Sequence, residues 1–377
     1  MAEPRSARYE LLDALRGIAI LAVLLLHFSE RGRESGDHIL HARLWPVLQH
    51  GYLGVQLFFV ISGYCITAAV GAAAGKSSPV WYFLIRRLRR IYPPYWASML
   101  LVLGLGFLTI VVLQTPRATV FPLELWEWFS NVALLQGPLQ ARDANLVYWS
   151  LSIELQFYLL MAVCLLLTPR LAEVWLVLVS AASCWIACRH SIPLTGWVLN
   201  YWSEFACGIA VNFWITRRNH FVLTPWLLVI ASGIEMSASF FEHESLTFPD
   251  GRFIPGVRVA FCLTVMVIML GLHAKDRQIV QWPVMRFLSR VGLISYSLYL
   301  IHVPIGTRVF NLGQRVTGLQ GCWWVLYFLL SLVCAALTGM LFFRWCELPW
   351  LNTAAVKASE RSAIVPPSAA APSSQPV

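Results

Sequence analysis

The chain has 377 residues, of which 58% are hydrophobic and only 12% are charged. Soluble proteins usually carry about twice that share of charged residues, so the composition excludes an ordinary soluble enzyme. The net charge of +9 does not by itself indicate nucleic-acid binding, because in a membrane protein Lys and Arg first mark the side of the bilayer. Since the apolar residues form repeated blocks of membrane-spanning length, we predict an all-α, polytopic membrane protein.

About ten transmembrane helices are predicted from the lengths of the blocks and their flanking residues. They cover residues 11–28, 52–72, 94–114, 147–168, 172–188, 194–215, 222–242, 253–273, 292–311 and 321–343. Most Lys and Arg then fall on the inner side, which predicts that both termini are cytoplasmic. The segment 123–137 is too short and too polar to cross and is predicted to be interfacial or re-entrant. Residues 1–352 thus form a transmembrane domain, and the Ala-, Ser- and Pro-rich residues 353–377 form a disordered cytoplasmic tail.

Two ionisable residues interrupt the first apolar block, "LDALRGIAILAVLLLHF". Arg16 and His27 are eleven residues apart, which at about 100° per residue brings them within about 20° of one helix face. An ionisable group inside a bilayer usually faces a cavity or a partner, so one polar cavity is predicted to contact both residues. The alternatives are that Arg16 anchors the helix beside Asp13 and that His27 is a structural, hydrogen-bonded histidine.

Four arginines stand in the stretch "FLIRRLRRIYPPYW", just before a Pro-Pro pair that is expected to break the helix. They are Arg86, Arg87, Arg89 and Arg90. Planar guanidinium groups suit bidentate contact with phosphate, so the cluster is a candidate clamp for a polyphosphate ligand. The alternative is an ordinary positive-inside boundary that faces anionic lipid.

Further polar residues lie in later predicted spans. Glu154 is placed at about the depth of the first-span histidine, where a carboxylate would orient the imidazole. Tyr299 and His302 are three residues apart and share a helix face, so they are expected to line the acceptor side of the same cavity. Arg344 and Glu347 are expected to form an i, i+3 pair that anchors the end of the last span.

Six motifs in this order resemble the membrane O-acyltransferase family called acyltransferase-3. They are the Arg with a His eleven residues later, "LFFVISGY", "RRLRRIYPPYW", "WSLSIELQFYL", "SYSLYLIHVPI" and "FRWCELPW". The resemblance runs from about residue 9 to residue 352. It implies a ten-helix, multi-pass enzyme of the inner cell membrane, in a minimal form without an appended extracellular domain. Such enzymes move acetyl or longer acyl groups from cytoplasmic acyl-CoA to hydroxyls of saccharides, lipid-linked glycans or macrolide-type products.

The resemblance also assigns roles to individual residues. The family's essential Arg, His and Glu fall on Arg16, His27 and Glu154. Its Arg-x-x-Arg motif falls best on Arg87 with Arg90, and a frame shifted by one residue, Arg86 with Arg89, is the alternative.

Together these assignments predict a mechanism. The arginine cluster holds the phosphates of acyl-CoA, expected as acetyl-CoA, and the thioester reaches His27 near the outer side. His27 is the general base that takes the proton of the acceptor hydroxyl, and Tyr299 or Ser152 is a candidate to stabilise the oxyanion. An acyl-histidine intermediate is the alternative chemistry. A transporter or flippase of an amphipathic substrate, without acyl chemistry, is the rival function. No metal is expected.

Overall fold

A computed structural model of the chain describes residues 9–33, 39–114, 121–122, 124–189, 196–217, 219–242, 255–318 and 322–351. This part of the chain is helical and contains no strand. The predicted tail, residues 353–377, and both termini lie outside the described residues. The helices are α1 (Leu11–Arg33), α2 (Ile39–Leu48), α3 (Leu53–Ala73), α4 (Pro79–Leu113), α5 (Leu125–Val132), α6 (Tyr148–Val163), α7 (Pro169–Arg189), α8 (Trp202–Thr216), α9 (Thr224–Glu242), α10 (Pro255–His273), α11 (Asp276–Val280), α12 (Pro283–Leu293), α13 (Ser295–Thr317) and α14 (Cys322–Phe342).

The helical, membrane-spanning class predicted from composition is confirmed. Six helices of the described residues are long and apolar enough to cross a bilayer, and the pair α12–α13, bent by 71°, would make a seventh span. Each of the ten predicted spans overlaps one of these helices, although α4 begins at Pro79, well before the predicted start at residue 94. Because several of these helices fall short of the length and apolarity of a typical span, the count of ten crossings and the orientation of the termini remain predictions.

Helix α1 lies at the centre of the bundle and packs against α3, α12 and α13. Glycines permit this close approach. A Cβ on Gly54 of α3 would lie 2.3 Å from the carbonyl oxygen of Ala19, and one on Gly292 of α12 would lie 1.7 Å from that of Asp13. Small residues at such contacts allow backbones to touch in a bilayer, where packing rather than water exclusion holds helices together.

Helix α4 corrects one prediction, because it continues through Pro93 and Pro94 from Pro79 to Leu113. Each proline removes one backbone donor and would break a helix in water. In a transmembrane bundle such prolines are tolerated when neighbouring groups satisfy the freed backbone atoms. The arginine cluster therefore lies within a continuous helix, on defined faces, rather than just before a break.

The predicted interfacial or re-entrant segment contains the eight-residue helix α5. Three side chains of α4 donate hydrogen bonds to the carbonyl oxygens at its C-terminal end. Tyr92 bonds to residue 133 at 2.9 Å, Tyr95 to residue 131 at 2.7 Å and Trp96 to residue 132 at 3.1 Å. These bonds pair orphan carbonyls at the end of α5 and fasten it to the middle of α4.

The end of the last span corrects a second prediction. Residues Phe343–Glu347 form a π-helical turn, in which residues three apart no longer lie one above the other. Glu347 turns into the core and accepts a hydrogen bond from Ser297, whereas Arg344 is exposed. The expected i, i+3 pair between Arg344 and Glu347 is therefore wrong.

Candidate active site

Two histidines from different helices meet in the membrane domain. Nδ1 of His27 on α1 lies 2.9 Å from Nε2 of His302 on α13. The rings are nearly parallel, with centroids 5.1 Å apart and an interplanar angle of 25°. His302 is completely buried and His27 is half-buried. Two residues that the sequence suggested for separate roles thus form one hydrogen-bonded unit.

The backbone of α13 determines which ring nitrogens of this pair carry protons. Nδ1 of His302 lies 2.9 Å from the carbonyl oxygen of Tyr299 and 3.1 Å from that of Leu298. A carbonyl only accepts, so we assign the proton of His302 to Nδ1, and its Nε2 is an acceptor in the neutral ring. Nδ1 of His27 then donates to it, which leaves Nε2 of His27 without a proton. An imidazole in this tautomer has the lone pair that a general base requires.

Arg16 lies in a polar cavity of about 90 Å³ between α1, α3, α4, α6 and α13. Its guanidinium donates hydrogen bonds to Oδ1 of Asp13 at 2.9 Å and to Sγ of Cys65 at 3.4 Å. Arg16 therefore pairs with Asp13, as the anchoring alternative predicted, and also faces a cavity. The volume suffices for several water molecules or for a narrow, flexible ligand segment.

The prediction that one cavity contacts both residues of the first span is wrong. The polar cavity is lined by Arg16 but not by His27 or His302. Tyr299 belongs to its wall, and the ring of Tyr299 lies 5.8 Å from that of His302. The hydroxyl of Tyr299 is bonded to Ser150 Oγ at 2.6 Å. Tyr299 thus belongs both to the wall of the cavity and to the surroundings of the histidine pair.

The four arginines of α4 divide between two faces of the helix. Arg87 and Arg90, three residues apart, line the polar cavity. Arg86 and Arg89 are exposed. Arg86 lies beside Tyr82, with a hydrogen bond of 3.0 Å, and Arg89 lies over a tryptophan ring of the last helical turn at 5.7 Å. Of the two possible frames, the geometry brings Arg87 and Arg90 together with Arg16.

Glu154 does not reach the histidine it was expected to orient. Its Oε1 accepts hydrogen bonds from Ser62 Oγ at 3.1 Å and from Tyr158 OH at 2.7 Å, and the described residues show no bond between Glu154 and His27. Helix α3 packs against both α1 and α6, and the Glu154 carboxylate stops at Ser62 on α3. The carboxylate lines the polar cavity, where it interacts electrostatically with Arg16 and Arg87. It thus balances arginine charge instead.

Several cavity residues were missed by sequence reasoning. Ser62, Cys65 and Tyr296 are common residue types in apolar helices. Sequence periodicity does not show which way their helix faces point, so nothing in the sequence marks them as cavity residues. Tyr158 had a usable signal, because it is four residues after Glu154 and so lies above it on the same face. Ser152, proposed as an oxyanion stabiliser, is completely buried and its Oγ has no hydrogen-bond partner.

A second, wider chamber of about 1260 Å³ lies toward the N-terminal end of α1. Arg16 and Cys65 line both the chamber and the polar cavity, so the two spaces meet at these side chains. The chamber also has aromatic walls, including Tyr9, Tyr64 and His273. Within the described ranges, no three His, Cys, Asp or Glu side chains are grouped to hold a metal ion. The site thus combines a wide chamber, a narrow cavity lined by arginines and a pair of hydrogen-bonded histidines.

The chain resembles known membrane acyltransferases along most of its length. A family model described as an acyltransferase domain matches residues 9–346. The "Putative membrane-bound transacylase BcsY" of Komagataeibacter xylinus is 30% identical over 318 residues, which cover 80% of this chain and 73% of that protein. No solved structure shows significant similarity to the chain.

Two bacterial O-acetyltransferases are similar as well. O-acetyltransferase OatA of Staphylococcus aureus is 26% identical over 372 residues, covering 90% of this chain and 56% of that protein. Peptidoglycan O-acetyltransferase OatA of Listeria monocytogenes is 31% identical over 336 residues, covering 78% and 49% respectively. The chain therefore spans about half the length of these two relatives.

Proposed function

The chain belongs to the acyltransferase family whose model it matches from residue 9 to residue 346, and from this premise we propose that it is a membrane O-acyltransferase with acyl-CoA as donor. The expected acyl group is acetyl, and the acceptor is a hydroxyl of a saccharide or of a glycosylated lipid or metabolite. Family membership decides against the rival transporter without acyl chemistry. The O-acetyltransferase relatives support the choice of acetyl.

The observation that carries the proposal is the 2.9 Å contact between Nδ1 of His27 and Nε2 of His302, from which we assign the tautomer of His27. Its Nε2 is the basic nitrogen, because Nδ1 donates to His302 and His302 is itself held by the α13 backbone. His27 takes the proton of the acceptor hydroxyl at Nε2 as the oxygen attacks the thioester carbonyl. The bond from Nδ1 to His302 then becomes charge-assisted and stabilises the imidazolium, the role expected of Glu154. Direct attack needs no second acyl transfer, so we prefer it to an acyl-histidine intermediate.

The proposed step requires no proton from outside the site. The hydroxyl oxygen forms the new ester bond, and the bond from the carbonyl carbon to sulfur breaks. His27 returns the proton to the departing thiolate, so no proton is gained or lost overall. Tyr299 is already bonded to Ser150 and to the carbonyl oxygen of residue 147. We therefore assign Tyr299 to positioning His302 rather than to the oxyanion.

The donor is proposed to enter through the wide chamber. Its volume of about 1260 Å³ accommodates a nucleotide, and the narrow cavity beyond it suits a flexible arm. Arg16, Arg87 and Arg90 supply three guanidinium groups to that cavity, of which Asp13 pairs with one and Glu154 balances a second. Charge-assisted contacts from planar guanidinium groups are the usual means of holding diphosphates. The remaining positive charge favours an anionic donor over a neutral one.

We further propose ten membrane crossings with both termini on the cytoplasmic side of the cell inner membrane. The positive-inside distribution and the helix within each predicted span support this topology. Reporter fusions after residues 217 and 318 test it. The first is expected to be active as a cytoplasmic reporter and the second as an external one. Two reporters on the same side would contradict the proposed order.

The central experiment measures acyl-CoA binding and turnover on the purified protein in nanodiscs. His27→Ala is expected to lower turnover by about 10²- to 10⁴-fold, the usual contribution of a general base, and to leave acyl-CoA affinity unchanged. Arg90→Ala is expected to weaken acyl-CoA binding by about 10- to 150-fold, because a hydrogen bond to a charged group is worth about 1.5–3 kcal/mol. Arg89→Ala, on the exposed face of the same helix, is the matched control and is expected to change affinity less than about twofold.

Two results would overturn these assignments. Full turnover in His27→Ala would end the general-base proposal. Equal loss of affinity in Arg89→Ala and Arg90→Ala would mean that the cluster attracts the donor by net charge and not through the cavity face.

A further inference from the structure

The polar cavity has two chemically different ends. Its lining on α3 runs from Cys65, where the wide chamber joins it, to Val55, which is ten residues or about 15 Å further along the helix. The charged side chains of the lining are Arg16, Arg87, Arg90 and Glu154. Arg16 and Arg87 both interact electrostatically with Cys65, and Arg90 is close enough to repel Arg87. The positive charge is therefore gathered toward the chamber, and none of the described residues that line the far end is charged.

The far end is lined by apolar side chains and by one closed pair of hydroxyl groups. The apolar residues are Val55, Phe58, Phe59 and Leu151. The hydroxyls of Ser150 and Tyr299 are bonded to each other at 2.6 Å, and both lie 3.2 Å from the carbonyl oxygen of Val147. The two hydroxyl protons are used within this triangle, so the far end offers little to a polar ligand. An apolar group is the occupant that it suits.

Phe59 is the most firmly held part of this apolar wall. Its ring stacks on that of Phe205 with centroids 4.7 Å apart, and it makes edge contacts with Tyr201 at 5.6 Å and Trp149 at 6.3 Å. The backbones of α3 and α8 touch one turn further along, where a Cβ on Gly63 would lie 2.2 Å from the carbonyl oxygen of Phe205. Helix α3 therefore has no room to move toward α8, and a wall packed in this way resists even one added methylene.

The size of the cavity limits what can follow the phosphates of the donor. Its volume is about 90 Å³, whereas an engineered protein cavity that holds one benzene molecule measures about 150 Å³. With the phosphates of the proposed donor on the arginines, the flexible arm enters first and the acyl group lies beyond it. The acyl group thus meets the apolar end, where only a short one fits.

We propose that the apolar end of the cavity, with Phe59 as its rigid wall, restricts the donor to short acyl groups such as acetyl. This inference rests on the acyltransferase function proposed above and adds the residues that select the acyl chain. The same end is the one nearest the histidine pair, because Tyr299 lines it and the ring of Tyr299 contacts that of His302. A longer acyl group has to displace packed side chains, and one methylene in an apolar pocket changes kcat/KM by about 10- to 200-fold.

A competition between two donors tests the proposal. Inverted membrane vesicles from a strain that lacks the gene and expresses one variant receive equal concentrations of isotope-labelled acetyl-CoA and butyryl-CoA. Labelled acetate and butyrate released by mild alkali from the envelope glycans are quantified by mass spectrometry. Their ratio reports the relative kcat/KM values whatever the amount of active protein. The unmodified chain is expected to transfer at least tenfold more acetyl than butyryl, and Phe59→Ala is expected to raise the butyrate-to-acetate ratio at least tenfold.

Two further variants make the result specific. Phe157 is completely buried and stacks on Phe205 at 4.1 Å, but it does not line the cavity. Phe157→Ala is therefore the matched control, since it loses a buried ring without lengthening the cavity, and its ratio is expected to stay within twofold of that of the unmodified chain. Phe59→Leu keeps a large apolar side chain, so it tests the wall even if Phe59→Ala is unstable, and it is expected to raise the ratio at least threefold.

Each outcome has a distinct meaning. An unchanged ratio in both Phe59 variants overturns the proposal, and so does equal use of the two donors by the unmodified chain. A rise in Phe157→Ala as large as that in Phe59→Ala also overturns it, because selection would then depend on general packing and not on the cavity wall. If the unmodified chain adds no more of either acyl group than His27→Ala, the proposed function fails instead of the acyl selection.

Discussion

Replacing His302 tests whether one imidazole sets the tautomer of the other. In His302→Leu, Nδ1–H of His27 loses its acceptor in a buried environment, and leaving such a donor unpaired costs about 1–3 kcal/mol. The ring escapes that cost by turning or by moving its proton to Nε2, and both changes remove the reactive lone pair. At 1.36 kcal/mol per factor of ten, the expected loss in kcat is about 5- to 150-fold. This is smaller than the loss expected for His27→Ala, because the base is still present.

His302→Gln is the informative partner of this variant. The Gln side chain offers an amide oxygen at about the reach of Nε2, so it can accept from Nδ1 of His27 and is expected to retain most activity. Steady-state kinetics in nanodiscs, with acetyl-CoA affinity as a check on folding, compare the two variants directly. Equal kcat in His302→Leu and the parent protein would refute the tautomer argument. Equal losses in the leucine and glutamine variants would show that the imidazole acts in some way other than accepting this bond.

Three further predictions concern stability and are measured by thermal unfolding in detergent. Gly292→Ala is expected to destabilise the protein by at least about 1–3 kcal/mol, because its Cβ would overlap the Asp13 carbonyl oxygen, whereas Gly104→Ala, with nothing within 4 Å, is expected to be neutral or stabilising. Asp143→Asn is expected to stabilise by about 1–2 kcal/mol above pH 7, since burial raises the pKa of Asp143 from 3.8 to about 6. The gain should shrink as the pH falls and vanish below about pH 3, where folded and unfolded carboxyls are both largely protonated. Glu154→Leu is expected to destabilise the protein by about 1–3 kcal/mol, because it removes the acceptor of Ser62 and Tyr158 and leaves half-buried cavity arginines unbalanced. Glu154→Gln, which keeps the two hydrogen bonds, should cost less. An unchanged melting temperature in Gly292→Ala or Glu154→Leu, or a pH-independent effect of Asp143→Asn, would contradict the corresponding argument.

The extent of sequence prediction differs between the helices and their contacts. Block length and flanking charge located a helix within every predicted span, because the bilayer forces the backbone to satisfy its own hydrogen bonds. The resemblance to the family's Arg-x-x-Arg motif also grouped Arg87 with Arg90. Periodicity does not reveal which neighbouring helix a given helix face contacts. Glu154 was assigned to His27 from its depth alone, and the carboxylate instead meets Ser62 on the intervening α3.

Predictions from short sequence patterns failed where another helix of the bundle provides a contact that the pattern does not include. A Pro-Pro pair predicts a helix break in water, but α4 continues through it inside the bundle. The pairing of His302 with His27 depends on α1 and α13 lying side by side, a contact between positions 275 residues apart. No pattern within either segment encodes that contact. The sequence predicted that Tyr299 and His302 share a helix face, but not which helix that face contacts.

The choice of a second histidine over a carboxylate as the partner of the base has a physical basis. An ionised carboxylate inside the membrane domain is costly unless a cation balances it, and Glu154 is already committed to the arginines of the cavity. A neutral imidazole orients His27 without adding a charge at rest, and its lone pair still stabilises the imidazolium formed during reaction. His27 and His302 do not line the cavity that holds the arginines, so the imidazolium forms outside the group of positive charges proposed to hold the donor's phosphates. A carboxylate at position 302 would be expected to turn toward the arginines and to lose its hydrogen bond with His27. His302→Glu should therefore lose more activity than His302→Gln, although both variants keep an acceptor oxygen.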